Sequence, residues 1–135
     1  MSGIANAVRC IDIINYLKKI LMNEFLLIFR RENTGPESVL SPEQLQAMMK
    51  PWQDWIGSIA AQNKLVTAGN RLAPQGKVIK PGQVITDGPY VEIKEAIGGY
   101  TIVKTDTLEE AAELAKGCPI LMAGGNVEVR PIIAM

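Results

Sequence analysis

A chain of 135 residues with 47% hydrophobic and 21% charged content has the size and composition of one soluble globular domain. Fourteen basic residues balance fourteen acidic ones, so no net field draws in nucleic acid or an anionic membrane surface, and little opposes self-association. The chain contains no histidine, which excludes Ser-His and Cys-His nucleophilic systems, HExxH zinc sites and His-ligated haem.

In residues 1–21, Cys10, Ile13, Ile14, Leu17, Ile20 and Leu21 recur at the spacing of one helix face, with Arg9, Asp12, Asn15, Lys18 and Lys19 on the other. The pattern predicts an amphipathic helical extension from about residue 4 to residue 21. Its charges interrupt any span of about 20 apolar residues and do not fit a secretory signal. Packing on its own domain or dimer is therefore expected ahead of a membrane-surface or partner-helix role. Met22-Asn23-Glu24-Phe25 reads like a natural chain start, and a single α+β domain is expected over residues 22–135.

The first strand is predicted over residues 24–30. Ser41-Pro42-Glu43-Gln44 is a helix-start signal, with Ser41 as N-cap, Pro42 supplying the fixed φ of the first turn and Gln44 able to reach back. The helix it opens runs to about residue 62, and Leu45, Met48, Met49, Trp52, Ile56, Ile59 and Ala60 line one face. Both tryptophans read as core or groove lining rather than a cofactor stack, and Pro51 should kink the helix. Residues 65–68 follow as the second strand, after which Gly69-Asn70 and Arg71-Leu72-Ala73-Pro74 leave the sheet.

Residues 77–80 and 83–86, joined through Pro81-Gly82, have the pattern of an inserted β-hairpin. A third main-sheet strand is predicted over residues 99–104. Thr107-Leu108-Glu109-Glu110 is a second capping box and opens a helix bearing Leu108, Ala111, Ala112, Leu114 and Ala115 that ends at Gly117-Cys118-Pro119. The last strand covers residues 126–132. Cys10 and Cys118 form no CxxC and neither reads as a nucleophile, a usage that suits a reducing cytoplasm.

The order strand, helix, strand, strand, helix, strand predicts a ferredoxin-like βαββαβ antiparallel sheet with two helices on one face, plus the N-terminal helix and the inserted hairpin. The first strand is apolar on both faces, with Phe25, Leu27 and Phe29 on one side and Leu26 and Ile28 on the other. Leaving such side chains wet forgoes roughly 1.5 to 3 kcal/mol each. A second copy of the sheet is the simplest cover, so a homodimer is expected.

The densest motif is Asp87-Gly88-Pro89-Tyr90-Val91-Glu92-Ile93-Lys94-Glu95-Ala96-Ile97-Gly98-Gly99-Tyr100, which begins as a turn and passes through alternating charge into an apolar strand. Near the C-terminus stands Val127-Glu128-Val129-Arg130-Pro131. If its valines meet the helices, Glu128 and Arg130 leave the opposite face, as a salt bridge or as a ligand anchor. These two motifs resemble the DGPF subgroup of the YCII-related family, whose pattern is D-G-P-[FY]-x-E-x-K-E-x-x-G-G-[YF] with a late V-E-V-R-P. The resemblance implies a dimeric α+β barrel. It also implies, for the wider family, a His-Asp pair in which Asp87 would be the aspartate; without histidine that dyad is impossible here. Some DGPF relatives are associated with sigma factors of the extracytoplasmic type, which implies a regulatory or accessory role for those relatives.

Two functions remain open. In the first, a cleft binds a small polar or anionic molecule, with Asp87 as the candidate catalytic acid or base and Arg71, Tyr90, Glu92, Lys94, Glu95 and Arg130 as candidate ligand-binding residues. Arg71 and Arg130 are expected at the ends of neighbouring strands. In the second, the same residues brace a non-catalytic interaction module. Gly124-Gly125 lacks the spacing and context of a phosphate loop, and neither a cofactor nor a metal is expected.

Overall fold

The computed structural model describes residue 13 and residues 22–31, 41–88 and 96–134. The expected N-terminal helix thus lies outside the described residues except for Ile13, which is helical and exposed.

Strand β1, Asn23–Arg30, alternates as its sequence requires. Phe25, Leu27 and Phe29 are buried against the helices, while Leu26 and Ile28 point to the other face, where Leu26 is half-buried and Ile28 is buried too. Helix α1, Pro42–Ala61, starts with both halves of the capping box in place: the Gln44 amide donates to Ser41 Oγ at 3.2 Å, and the Ser41 amide donates to Gln44 Oε1 at 2.9 Å. The helix continues through Pro51 to Ala61. Pro51 and Ala47 are both exposed, so the carbonyl that loses its helical donor is at the solvent side, where water can satisfy it. Asn63, with φ of 58°, turns the chain out of the helix.

β2 is Leu65–Thr67, β3 Gly76–Lys80, β4 Val84–Gly88 and β5 Ile97–Thr105. Helix α2, Leu108–Ala115, is capped by Thr107, whose hydroxyl accepts from the Glu110 amide at 3.2 Å. A single 3₁₀ turn, Pro119–Leu121, leads to β6, Asn126–Pro131. The main sheet has the order β2-β5-β1-β6 with antiparallel pairing throughout, an arrangement consistent with a ferredoxin-like α+β fold. β3 and β4 form the expected hairpin as a separate two-stranded sheet.

Register places Leu27 opposite Thr101 and Val129, and Phe25 opposite Val103. These residues meet Trp55 and Ile59 of α1 and Ala111 and Ala115 of α2 in one core. Two hydroxyls inside it are satisfied: Thr101 Oγ1 donates to the Ala68 carbonyl at 2.9 Å, and Thr105 Oγ1 to that of Thr107 at 2.7 Å. The opposite sheet face carries Leu26, Ile28, Tyr100 and Ile102 side by side. Glu128 and Arg130 emerge on that face because Val127 and Val129 pack on the core.

Candidate functional site

A cleft of about 330 Å³ opens between α1 and the end of the sheet where β1 finishes and β5 begins. Met48, Met49, Trp52 and Ile56 come from α1 at helical spacing, so one stripe of the helix forms an apolar wall. Trp52 is anchored edge-on to Phe29 at 5.1 Å and to Trp55 at 6.0 Å, with Phe29 and Trp55 at 5.9 Å. Trp55 is held deeper by donating its indole N–H to the Leu114 carbonyl at 2.9 Å.

The facing wall is glycine-rich, with Gly69, Gly98 and Gly99 among Asn70, Tyr100 and Thr101. After β2 the chain runs along the free edge of β5, where the Tyr100 amide donates to the Asn70 carbonyl at 3.2 Å and the Leu72 amide to that of Gly98 at 2.9 Å. Arg71 forms a bridge with Gly99 between these bonds. This approach demands glycine: Gly69 has φ of +71°, and a Cβ there would lie 1.8 Å from the Tyr100 carbonyl oxygen. A Cβ on Gly99 would come within 3.0 Å of the Asn70 carbonyl. Asn70 also donates from Nδ2 to the Tyr100 hydroxyl at 3.3 Å.

Two arginines line this cleft. Arg31 follows the last residue of β1, and Arg71 sits on the β5 edge. Both also make interactions within the protein. A guanidinium presents a fork of several donors, so it can hold an internal partner and an anion together.

The structure separates the other described candidates from this cleft. Asp87 was expected at a turn; it is instead the next-to-last residue of β4, opposite Lys77, whose Nζ lies 2.6 Å from its carboxylate. Its side chain is 86% exposed and borders a separate hollow with Gln75 and Gly76. Extended pairing with β3 replaces the turn because the hairpin is two residues longer than its apolar pattern indicates.

Arg130 corrects a second expectation. It pairs with Leu26 on the edge strand β6, whereas Arg71 lies on the opposite edge, beyond β5. Three inter-strand spacings of about 4.8 Å put them roughly 14 Å apart across the sheet, not on neighbouring strands. Glu128 instead pairs with Arg30 on β1, at 2.5 Å from its guanidinium. Tyr90, Glu92, Lys94 and Glu95 lie outside the described residues.

Cys118 is buried and unpaired by disulfide. Burial pushes its thiol up to about 11, against a smaller opposing effect of a backbone hydrogen bond at Ile120. It is a core residue, not a nucleophile. Among the described residues no group of three Cys, Asp or Glu side chains could hold a metal ion, and no helix is long and apolar enough to cross a membrane.

Of the cleft residues, sequence reasoning reached Arg71 and the groove-lining tryptophan. It missed Arg31, Asn70, Met48 and Met49 as site residues. The available signal was the apolar stripe of α1 extending toward its exposed N-terminal half, where Met48 and Met49 remain 43% and 49% exposed. No curated protein matches the chain. The family comparison does match: the YCII-related domain covers residues 25–135, from the start of the β1 core to the end of the chain. With that match reaching from β1 through β6 and including α1 and α2, the chain belongs to the YCII-related family.

Proposed function

We propose that this protein is a cytoplasmic homodimer of the DGPF subgroup that binds a small anionic molecule in the cleft between α1 and the sheet. The observation that carries the reading is the placement of Arg31 and Arg71 on one apolar cavity of about 330 Å³. Ligand sites are typically concave, mostly apolar and oriented by a few polar groups, with volumes from about 300 Å³ upward. The subgroup assignment rests on the two sequence motifs, and the cytoplasmic assignment on the unpaired, buried thiol of Cys118.

The dimer is supported by the apolar strip Leu26, Ile28, Tyr100 and Ile102 on the sheet face opposite the helices. Ile28 is already buried within one chain, so a second sheet laid on this strip would remove the remaining exposure of the half-buried Leu26, Tyr100 and Ile102, with the Arg30–Glu128 pair beside it. Light scattering at micromolar concentration is expected to give twice the chain mass; a monomer mass refutes the dimer.

Binding without turnover, in a regulatory or accessory setting, is favoured over acid-base chemistry by one observation. The carboxylate of Asp87 faces Lys77 on an exposed hairpin, and that of Glu128 faces Arg30. Both act as partners of cations rather than as groups directed into the cleft. A thermal-shift screen of small organic and inorganic anions tests the function, since a ligand at a hundredfold its dissociation constant adds about 2.7 kcal/mol of stability. A screen in which anions stabilise wild type and Arg71→Gln equally refutes the cleft as the site.

A further inference from the structure

We infer that the ligand is a planar, apolar organic anion, an aromatic carboxylate in chemical class, held as a flat body between two unlike walls with its charged end at the arginines. The inference rests on the cleft reading above and specifies what the cleft selects.

The two walls differ in kind. One is the α1 stripe, where Trp52 is fixed by its edge-on contacts with Phe29 and Trp55 and Met48 and Met49 stand beside it. A rigid indole and adaptable thioethers form a surface suited to the faces and edges of an aromatic ring. The other wall is the backbone of Gly69, Gly98 and Gly99. Its three glycines keep it low where two strands of backbone meet, at distances that leave no room for a Cβ on Gly69, although Asn70, Tyr100 and Thr101 also line it. A wall of long side chains facing a glycine-rich wall makes a narrow slot, and a slot favours a planar body over a branched or spherical one.

Both arginines come from the sheet side of the cleft, whereas α1 contributes the uncharged Gln53. Arg71 is carried on the β5 edge by the hydrogen bonds of Asn70 and Leu72 on either side of it, and Arg31 emerges from the end of β1, two strands in from that edge. Planar guanidinium forks match a carboxylate, whose charge lies in the plane of the ring to which it is attached. A compact polyanion would satisfy the arginines but leave the Met48, Met49 and Trp52 surface wet. An uncharged aromatic would cover that surface and leave the arginines without the anion. One molecule with both parts uses the whole cleft.

Calorimetric titration of the full chain with 2-naphthoate, its neutral amide 2-naphthamide, and malonate separates these cases. The expected result is that 2-naphthoate binds at least about tenfold more tightly than either of the others, with a negative heat-capacity change that marks apolar burial. Arg71→Gln should bring 2-naphthoate down to the level of the amide, and Met49→Lys, at an exposed wall position, should weaken 2-naphthoate about tenfold without unfolding the protein. Malonate binding that depends on Arg71, with no preference for 2-naphthoate, overturns the aromatic class and leaves the anion-binding function standing. Equal binding of naphthoate and its amide overturns the role of the charge, and with it both the ligand class and the anion reading. Binding of none of the three overturns both as well.

Discussion

Replacing Gly69 with alanine attacks the tightest backbone approach in the segment that carries Arg71. The added Cβ would stand 1.8 Å from the Tyr100 carbonyl oxygen and 2.7 Å from its carbon, neither of which can swing aside as a flexible side chain would. Residue 69 also has φ of +71°, a conformation that costs an L side chain about 1–2 kcal/mol. To relieve the overlap the 69–72 segment must leave the β5 edge, breaking the Tyr100-to-Asn70 and Leu72-to-Gly98 bonds, each worth about 1 kcal/mol net. Together these terms predict a loss of about 3–4 kcal/mol. Gly82→Ala is the matched control, because Gly82 has φ of +84° with nothing within 4 Å of the added methyl, so only the backbone cost of about 1–2 kcal/mol applies. Urea unfolding of the two variants measures the difference directly. If Gly69→Ala loses no more than Gly82→Ala, close approach does not hold this segment in place, and the account of how Arg71 reaches the cleft fails.

Asp87→Asn should cost less than about 1 kcal/mol and leave the proposed anion binding unchanged, because the Lys77–Asp87 pair is solvent-exposed; loss of binding would return Asp87 to the site. Leu27→Ala should cost about 2–5 kcal/mol in urea unfolding, since Leu27 is fully buried between Thr101 and Val129. Leu26→Glu, on the sheet face away from the helices, should convert the proposed dimer to a folded monomer in light scattering, and a dimer that survived would move the interface elsewhere. Cys118 should resist alkylation at about pH 8 until the protein unfolds. Its folded-state pKa is raised above the ordinary 9.0 to about 11, so the folded form holds the proton more tightly, and its contribution to stability is complete below pH 9 and is lost as pH rises from 9 to 11.

The core was legible in the sequence because one strong periodic signal determined each of its elements. Alternation in Phe25, Leu27 and Phe29, the three-and-four spacing of Trp52, Ile56 and Ile59, and the capping residues Ser41 and Thr107 all depend on neighbours a few positions away. Even the outward direction of Glu128 could be read from its flanking valines, although its partner could not. Arg30 is 98 residues away and meets it only because β1 and β6 are paired in one register. The hairpin was legible in existence but not in length, since Asp87 and the terminal glycines Gly76 and Gly88 carry no apolar alternation to mark them as strand.

The site was less legible because it is assembled by strand order, which no local pattern encodes. Arg71 and Arg130 each stand in or beside a short edge strand, and nothing in either segment says that β5 and β1 lie between them. Arg31 looks like an ordinary residue leaving a strand into a polar turn. It gains its place only when β1 is set beside β5 and the 69–72 segment closes on the far edge of β5. The glycines that permit this closure are spread over two sequence regions, Gly69 after β2 and Gly98-Gly99 at the start of β5, and their common purpose appears when the two backbones meet. The Gly-Gly that ends the densest motif of the chain therefore has a physical role apart from any catalytic one: it forms the flat wall along which Arg71 is carried to the cleft. On this argument, substitution of Gly99 by a bulky residue should disturb the arginine wall more than the loss of the Asp87 carboxylate does, although Asp87 is the more conspicuous residue in the sequence.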